Sequence, residues 1–202
     1  MSVFQPEPAA PMGLREKKKA KTRAAIQHAA IRLFREQGYE ATTIEQIAEA
    51  VEVSPSTLFR YFPSKEDLVL TDEYDPLLID AYRAQPAGLG PIPAFRNAIR
   101  SVLGSLSAEE EADMRGRSEL ALGVPELRAA QLDQMVQTFR DVNGLIAERL
   151  GKEGDDFAAR TLTGAIVGVM IAAMFHWVEH PGSDFVELLD EALARLDLGL
   201  PV

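Results

Sequence analysis

The segment TTIEQIAEAVEVSPSTLFRYFPSKEDL, residues 42–68, decides the fold, because its 27 residues hold three helix starts and one tight connection. Thr43 with Gln46 three positions on reads as a capping box, after which Ile44, Ile47, Ala48 and Val51 recur at helical spacing. Ser54 followed by Pro55 is an N-cap and then a proline at the first helical position, where its missing N–H costs nothing. Only Glu52 and Val53 separate the two helices. Pro63 closes the second helix, and Ser64 with Asp67 starts a third. The spacing predicts a helix-turn-helix.

At about 100° per residue, Leu58 and Phe62 fall on one side of the second helix and face a core, while Ser56 and Arg60 fall opposite. Thr57 and Phe59 take the flanks and Pro55 the exposed start. Small hydroxyls and one guanidinium suit a DNA major groove, where Ser and Thr meet either base edge and Arg prefers guanine. Any small three-helix unit would show the same apolar pattern, so charge has to be weighed beside it. The net charge is −10, which opposes a nucleic-acid partner, but residues 1–66 carry ten Lys or Arg against eight Asp or Glu, whereas residues 67–202 carry 11 against 23. Residues 15–35 hold eight bases and one acid, which places Lys19 and its neighbours in a segment suited to phosphate contact beside the motif.

The run IAEAVEVSPSTLFRYFPSKEDL, preceded by LFREQGYEATTIEQIA, resembles the DNA-binding signature of the tetracycline-repressor (TetR) family of bacterial transcription regulators. The resemblance covers about residues 20–70; beyond them only length and helical character match. It implies a homodimer in which each head reads half of a double-stranded DNA operator and each helical body dimerises and binds a small effector. Carried over by position, Thr43, Ser56, Thr57, Tyr61 and Lys65 stand where the family contacts DNA. Phe59 replaces a common phosphate-contacting tyrosine, and Pro55 a common Lys or Arg. With Lys19, Ser54, Pro55 and Arg60 these make up the expected DNA-facing set.

Outside the motif, residues 1–14 are rich in proline without period and read as a disordered tail, residues 15–63 as the DNA-binding domain, and residues 64–202 as the body. Ile26, Ala30, Leu33 and Phe34 form the stripe of a first helix that stops at Gly38. A long helix is expected from Ser64 through a kink at Pro76 to Tyr82, shared by head and body. AQPAGLGPIP, residues 84–93, reads as a linker. Helical patterns follow at 94–106, 108–122, 125–150, 155–179 and 183–196, giving an all-α fold of about nine helices. The absence of cysteine and of a signal-peptide pattern points to a cytoplasmic protein without disulfides.

In the body, Leu78, Tyr82, Arg117, Phe139, Asn143, Met170 and Met174 are expected to enclose an apolar or aromatic effector, with Arg117 or Asn143 orienting it. Gly164, Gly168 and Ala172 form a small-residue stripe that, with Leu189, Leu193 and Leu196, is expected to pair with a second copy. Residues 162–178 form an uncharged run of 17 residues at the lower limit for a membrane span, but the small stripe, Thr163 and His176 favour a buried helix. His176-Trp177-Val178-Glu179-His180 fits H-x-x-E-H, an inverted zinc-protease signature, and makes a metal-dependent hydrolase the rival reading. Pro181 ends that helix at once, and His28 is the only other histidine, so neither metal nor cofactor is expected. A helical adaptor without an effector is a third reading.

Overall fold

The computed structural model describes residues 13–71 and 74–200. Ten α-helices and one 3₁₀ turn, and no strand, occur among the described residues. The chain divides into two compact units between Leu68 and Val69, five residues beyond the expected boundary.

The first unit is built on α1, Leu14–Gln37. The tail expected over residues 1–14 lies outside the described residues as far as residue 12, and Leu14 already opens α1. Gly38 ends the helix in a left-handed conformation, φ +91°, that glycine adopts without Cβ strain. The buried Thr42 hydroxyl then donates to the Gly38 carbonyl at 2.8 Å, fixing the entry to α2, Ile44–Ala50. α3 is Pro55–Tyr61 and α4 the single turn Asp67–Leu70, prepared by Ser64 and Asp67, each side chain of which accepts from the other's backbone N–H. Ile26, Ala30, Ile47, Leu58, Phe62 and Leu68 are fully buried and make the core. The buried Gln27 amide donates to the Leu68 carbonyl, holding the end of this unit to α1.

The second unit contains α5 (Tyr74–Arg83), α6 (Pro91–Val102), a 3₁₀ turn (Leu103–Ser105), α7 (Ala108–Gly123), α8 (Pro125–Leu150), α9 (Phe157–Glu179) and α10 (Phe185–Asp197). Two expectations are corrected. The long helix from Ser64 to Tyr82 is two helices, α4 and α5, and Pro76 sits in the first turn of α5 rather than at a kink. A proline there removes an N–H that has no intrahelical acceptor, so it starts a helix more readily than it bends one. The same reason corrects the linker, whose last three residues belong to α6 with Pro91 at its start.

Tyr82, Ile99, Ile146, Ile166, Trp177 and Leu193 are almost wholly buried in the core of this unit. Trp177 is stacked on Phe185 with centroids 4.4 Å apart, and the Arg115 guanidinium lies 4.1 Å from its ring. Arg149 lies over Tyr82 and donates to the Tyr82, Pro86 and Leu89 carbonyls, closing the α5–α6 connection. α9 is long and apolar enough to cross a membrane by length and composition, but Ala159, Thr163, Ile166, Ala173 and Trp177 turn into the core while Gly164, Gly168, Ala172 and Phe175 stay exposed. Leu189 and Leu193, expected to meet a second copy, are instead 2% and 0% exposed inside the body and present no surface. Leu196 is half-buried on the same core.

Asp190 of α10 receives a two-pronged hydrogen bond from Arg96 of α6, at 2.8 and 3.0 Å, and a further one from Arg100. The Arg96 hydrogen bonds hold its carboxyl below the usual aspartate range. A depressed folded pKa contributes stability above the unfolded value of about 3.9 that disappears as pH falls through the folded value. Taking urea midpoints from about pH 6 to about pH 3 should therefore destabilise the parent protein more than Asp190→Asn. Parallel pH profiles would remove this bridge from the account.

Candidate functional site

α3 presents Pro55, Ser56, Phe59 and Arg60 to solvent, with Thr57 and Tyr61 half-buried and Leu58 and Phe62 fully buried. Its start is tightly organised: the Ser54 side chain accepts from the Thr57 N–H at 3.1 Å, and its hydroxyl lies 2.9 Å from those of both Ser56 and Thr57. Thr43 caps α2 in the same way, accepting from the Gln46 N–H while the Gln46 side chain accepts from the Thr43 N–H. Four hydroxyls and two helix N-termini are thereby set on the ends of adjacent helices. Glu52, in the connection between them, adopts φ 54°, a left-handed conformation uncommon for a residue with a side chain.

Beside α3, Arg15, Lys18, Lys19 and Thr22 of α1 join Arg60 and Tyr61 around a groove of about 460 Å³. Among the described residues, four cations line it and no carboxylate does. Such a surface attracts a phosphate backbone by charge alone, whatever the sequence, while the exposed Ser56 and Arg60 can meet base edges.

Two residues behave otherwise than the sequence predicts. Lys65, expected at a phosphate, turns its ammonium inward: Nζ donates to the Tyr39 carbonyl at 2.5 Å and lies 4.4 Å from the Tyr39 ring centroid. Burial lowers its pKa below the ordinary lysine value. The ammonium satisfies a main-chain acceptor and an aromatic face that the fold brings within reach, so it joins the α1–α2 corner to the segment after α3. Arg23, at the end of the basic stretch expected along the phosphate backbone, instead donates to the Tyr61 carbonyl at 2.7 Å and lies 4.2 Å from the Phe62 ring centroid, capping the C-terminal end of α3. Only its place in the basic run signalled it.

The body residues expected to form one effector pocket are dispersed. Arg117 and Met174 line a cavity of about 140 Å³ with Leu70, Met114, Ser118 and Gln134. Phe139 and Asn143 line a different groove. Tyr82 is buried against Phe95, and Leu78 and Met170 pack on the core. Neither expected polar anchor is uncommitted: Arg117 donates to the Thr71 carbonyl at 3.0 Å, and Asn143 donates to the Gly154 carbonyl while accepting from Thr163. Their partners come from loop and helix packing that no local spacing announces. His176 and His180 are stacked, centroids 4.0 Å apart, and His180 Nδ1 lies 2.8 Å from the His176 carbonyl at the end of α9. No group of three or more His, Cys, Asp or Glu among the described residues is placed to hold a metal ion.

Residues 26–71 match the family model described as bacterial regulatory proteins of the tetR family, and residues 89–201 that of the MftR C-terminal domain. The HTH-type transcriptional regulator TcmR of Streptomyces glaucescens is similar at 35% identity over 184 residues, 87% of this chain and 81% of that protein. A putative mycofactocin biosynthesis transcriptional regulator, MftR of Mycobacterium tuberculosis, is 27% identical across 87% of this chain and 89% of its own. Among solved structures, Thermus thermophilus FadR, a TetR-family transcriptional repressor in complex with lauroyl-CoA, aligns with a TM-score of 0.55 at 28% identity, covering 89% of this chain and 95% of that one.

The inward Lys65 has a measurable consequence. Lys65→Met keeps most of the stem and removes the charged donor, leaving the Tyr39 carbonyl without that partner. A loss of about 1–3 kcal/mol in the stability of the first unit is expected in urea unfolding, together with any loss of DNA affinity. Unchanged stability with weakened DNA binding would return Lys65 to the phosphate-contacting set.

Proposed function

The chain belongs to the TetR family of bacterial transcriptional regulators, and from that premise we propose that it is a homodimeric repressor that occupies a partly palindromic operator in the cytoplasm and leaves it when a small molecule binds the body. The observation that carries the DNA-binding half is the cation-lined groove beside the exposed face of α3. In this reading Lys18, Lys19 and Arg15 lie along the phosphates, Thr43 and the Ser54 N-cap sit at helix N-termini facing the backbone, and Ser56, Thr57 and Arg60 face the bases. Pro55 and Tyr61 border that surface.

For the effector, the cavity beside Arg117 and Met174 offers sulfur and apolar walls with a guanidinium and amides at its edge, a chemistry that suits a compact, partly apolar molecule. The second copy is proposed to dock on the exposed face of α9, where Gly164, Gly168 and Ala172 permit close helix approach and Leu196 lies half-buried on α10.

Fluorescence anisotropy on the operator and on random DNA separates the roles. Arg60→Ala is expected to reduce discrimination between the two by about 1–3 kcal/mol. Lys19→Ala should instead weaken both alike and lower the salt slope by about one unit. Equal losses on both DNAs from both substitutions would sink the division of roles.

Gly168→Leu tests the dimer cleanly, because a Cβ built at Gly168 meets nothing within 4 Å inside the chain. The variant should fold and sediment as a monomer at concentrations where the parent is dimeric. A folded dimer would move the interface elsewhere.

A further inference from the structure

On the outer face of α3, Phe59 stands exposed beside the polar Ser56 and Arg60. It is 45% exposed, and with Leu14 at the start of α1 it is one of two large apolar side chains left open among the described residues of the first unit. Leu58 and Phe62, its neighbours in the chain, are fully buried. No aromatic ring or cation among the described residues stacks on the Phe59 ring. Pro55, one turn before it and exposed as well, gives α3 an apolar row beside the polar row of Ser56 and Arg60.

Helix geometry sets Phe59 apart from the cations. The cation-lined groove takes in Arg60 and Tyr61 but not Phe59, and Tyr61, two residues on, lies about 200° around the helix. A phenyl ring also carries no donor for a phosphate oxygen. In the major groove the apolar group that a base pair presents is the C5-methyl of thymine, and phenylalanine is among the side chains that pack on it. Such a contact takes both apolar surfaces out of water.

On the reading of α3 as the element that meets base edges, on which this inference rests, we propose that Phe59 is a specificity residue. Its ring packs on the C5-methyl of a thymine in each operator half-site, next to the base edges proposed for Ser56 and Arg60. Uracil keeps the hydrogen-bonding groups of thymine and lacks only that methyl, so it isolates the contact from every polar one.

The test is a deoxyuridine scan. An operator is selected from random duplexes by the full chain, each of its thymines is replaced singly by deoxyuridine, and affinity is read by fluorescence anisotropy. At one thymine per half-site the parent is expected to lose about fourfold, the transfer free energy of roughly one buried carbon. Phe59→Ala should fold as the parent does, because the ring lies outside the core. It should bind the unmodified operator at least about fourfold more weakly and no longer respond to deoxyuridine at that position. Lys19→Ala, placed at the phosphates, should keep the parent's response. A flat scan in the parent, an undiminished response in Phe59→Ala, or a Phe59→Ala loss equal on operator and random duplex overturns the proposal. Failure of the chain to select any sequence removes the operator-binding reading and this inference with it, so the two failures are told apart.

Discussion

A helix of seven residues makes too few internal hydrogen bonds to hold its own shape, yet α3 has to present a fixed outer face to whatever it reads. The rest of the first unit answers that constraint. Ser54 satisfies the helix start, Arg23 satisfies its end, and Leu58 and Phe62 sink its inner side into a core that α1 and α2 complete. The Lys65 ammonium then ties the chain beyond α3 back to Tyr39. Each device leaves Ser56 and Arg60 untouched by the core, so the side that holds the helix and the side proposed for recognition are opposite faces of the same two turns. A side chain held by its own scaffold spends less conformational entropy when it meets a base edge.

α9 poses the opposite problem. Its apolar length matches a membrane span, but its surface is divided between a core face closed by Trp177 and Ile166 and an outer face that carries Gly164, Gly168 and Ala172 beside Phe175. Small residues on an exposed face gain little from burial against lipid and much from close approach of another helix. Family membership and packing thus agree on a body helix. The neighbouring α10 contributes less to the outer surface than its leucine pattern promised, because Leu189 and Leu193 face the same core and leave charged Glu187, Glu191 and Arg195 outside.

The His176–His180 motif shows how a sequence signature depends on its surroundings. Two histidines one turn apart make half of a zinc site anywhere on a helix. Here they stand in the last turn, one ring covering the other, with His180 completing the helix end through the His176 carbonyl. At a helix terminus an imidazole meets unpaired carbonyls favourably, which gives the pair a structural role there.

Local chemistry was readable from the chain because caps, turns and helix stops join residues no more than about four positions apart. Thr43 with Gln46, Ser54 before Pro55, and Ser64 with Asp67 are of this kind, and with them came the helix-turn-helix. The direction of long side chains was not readable. Lys65 reaches a carbonyl 26 positions away, Arg23 one 38 away, and Arg117 one 46 away. Such partners exist only once helices have packed, and the same packing separated Phe139 and Asn143 from Arg117 and buried Leu189 and Leu193. Sequence periodicity assigns a residue to a helix face; which neighbour covers that face is decided by tertiary contacts between segments far apart in the chain.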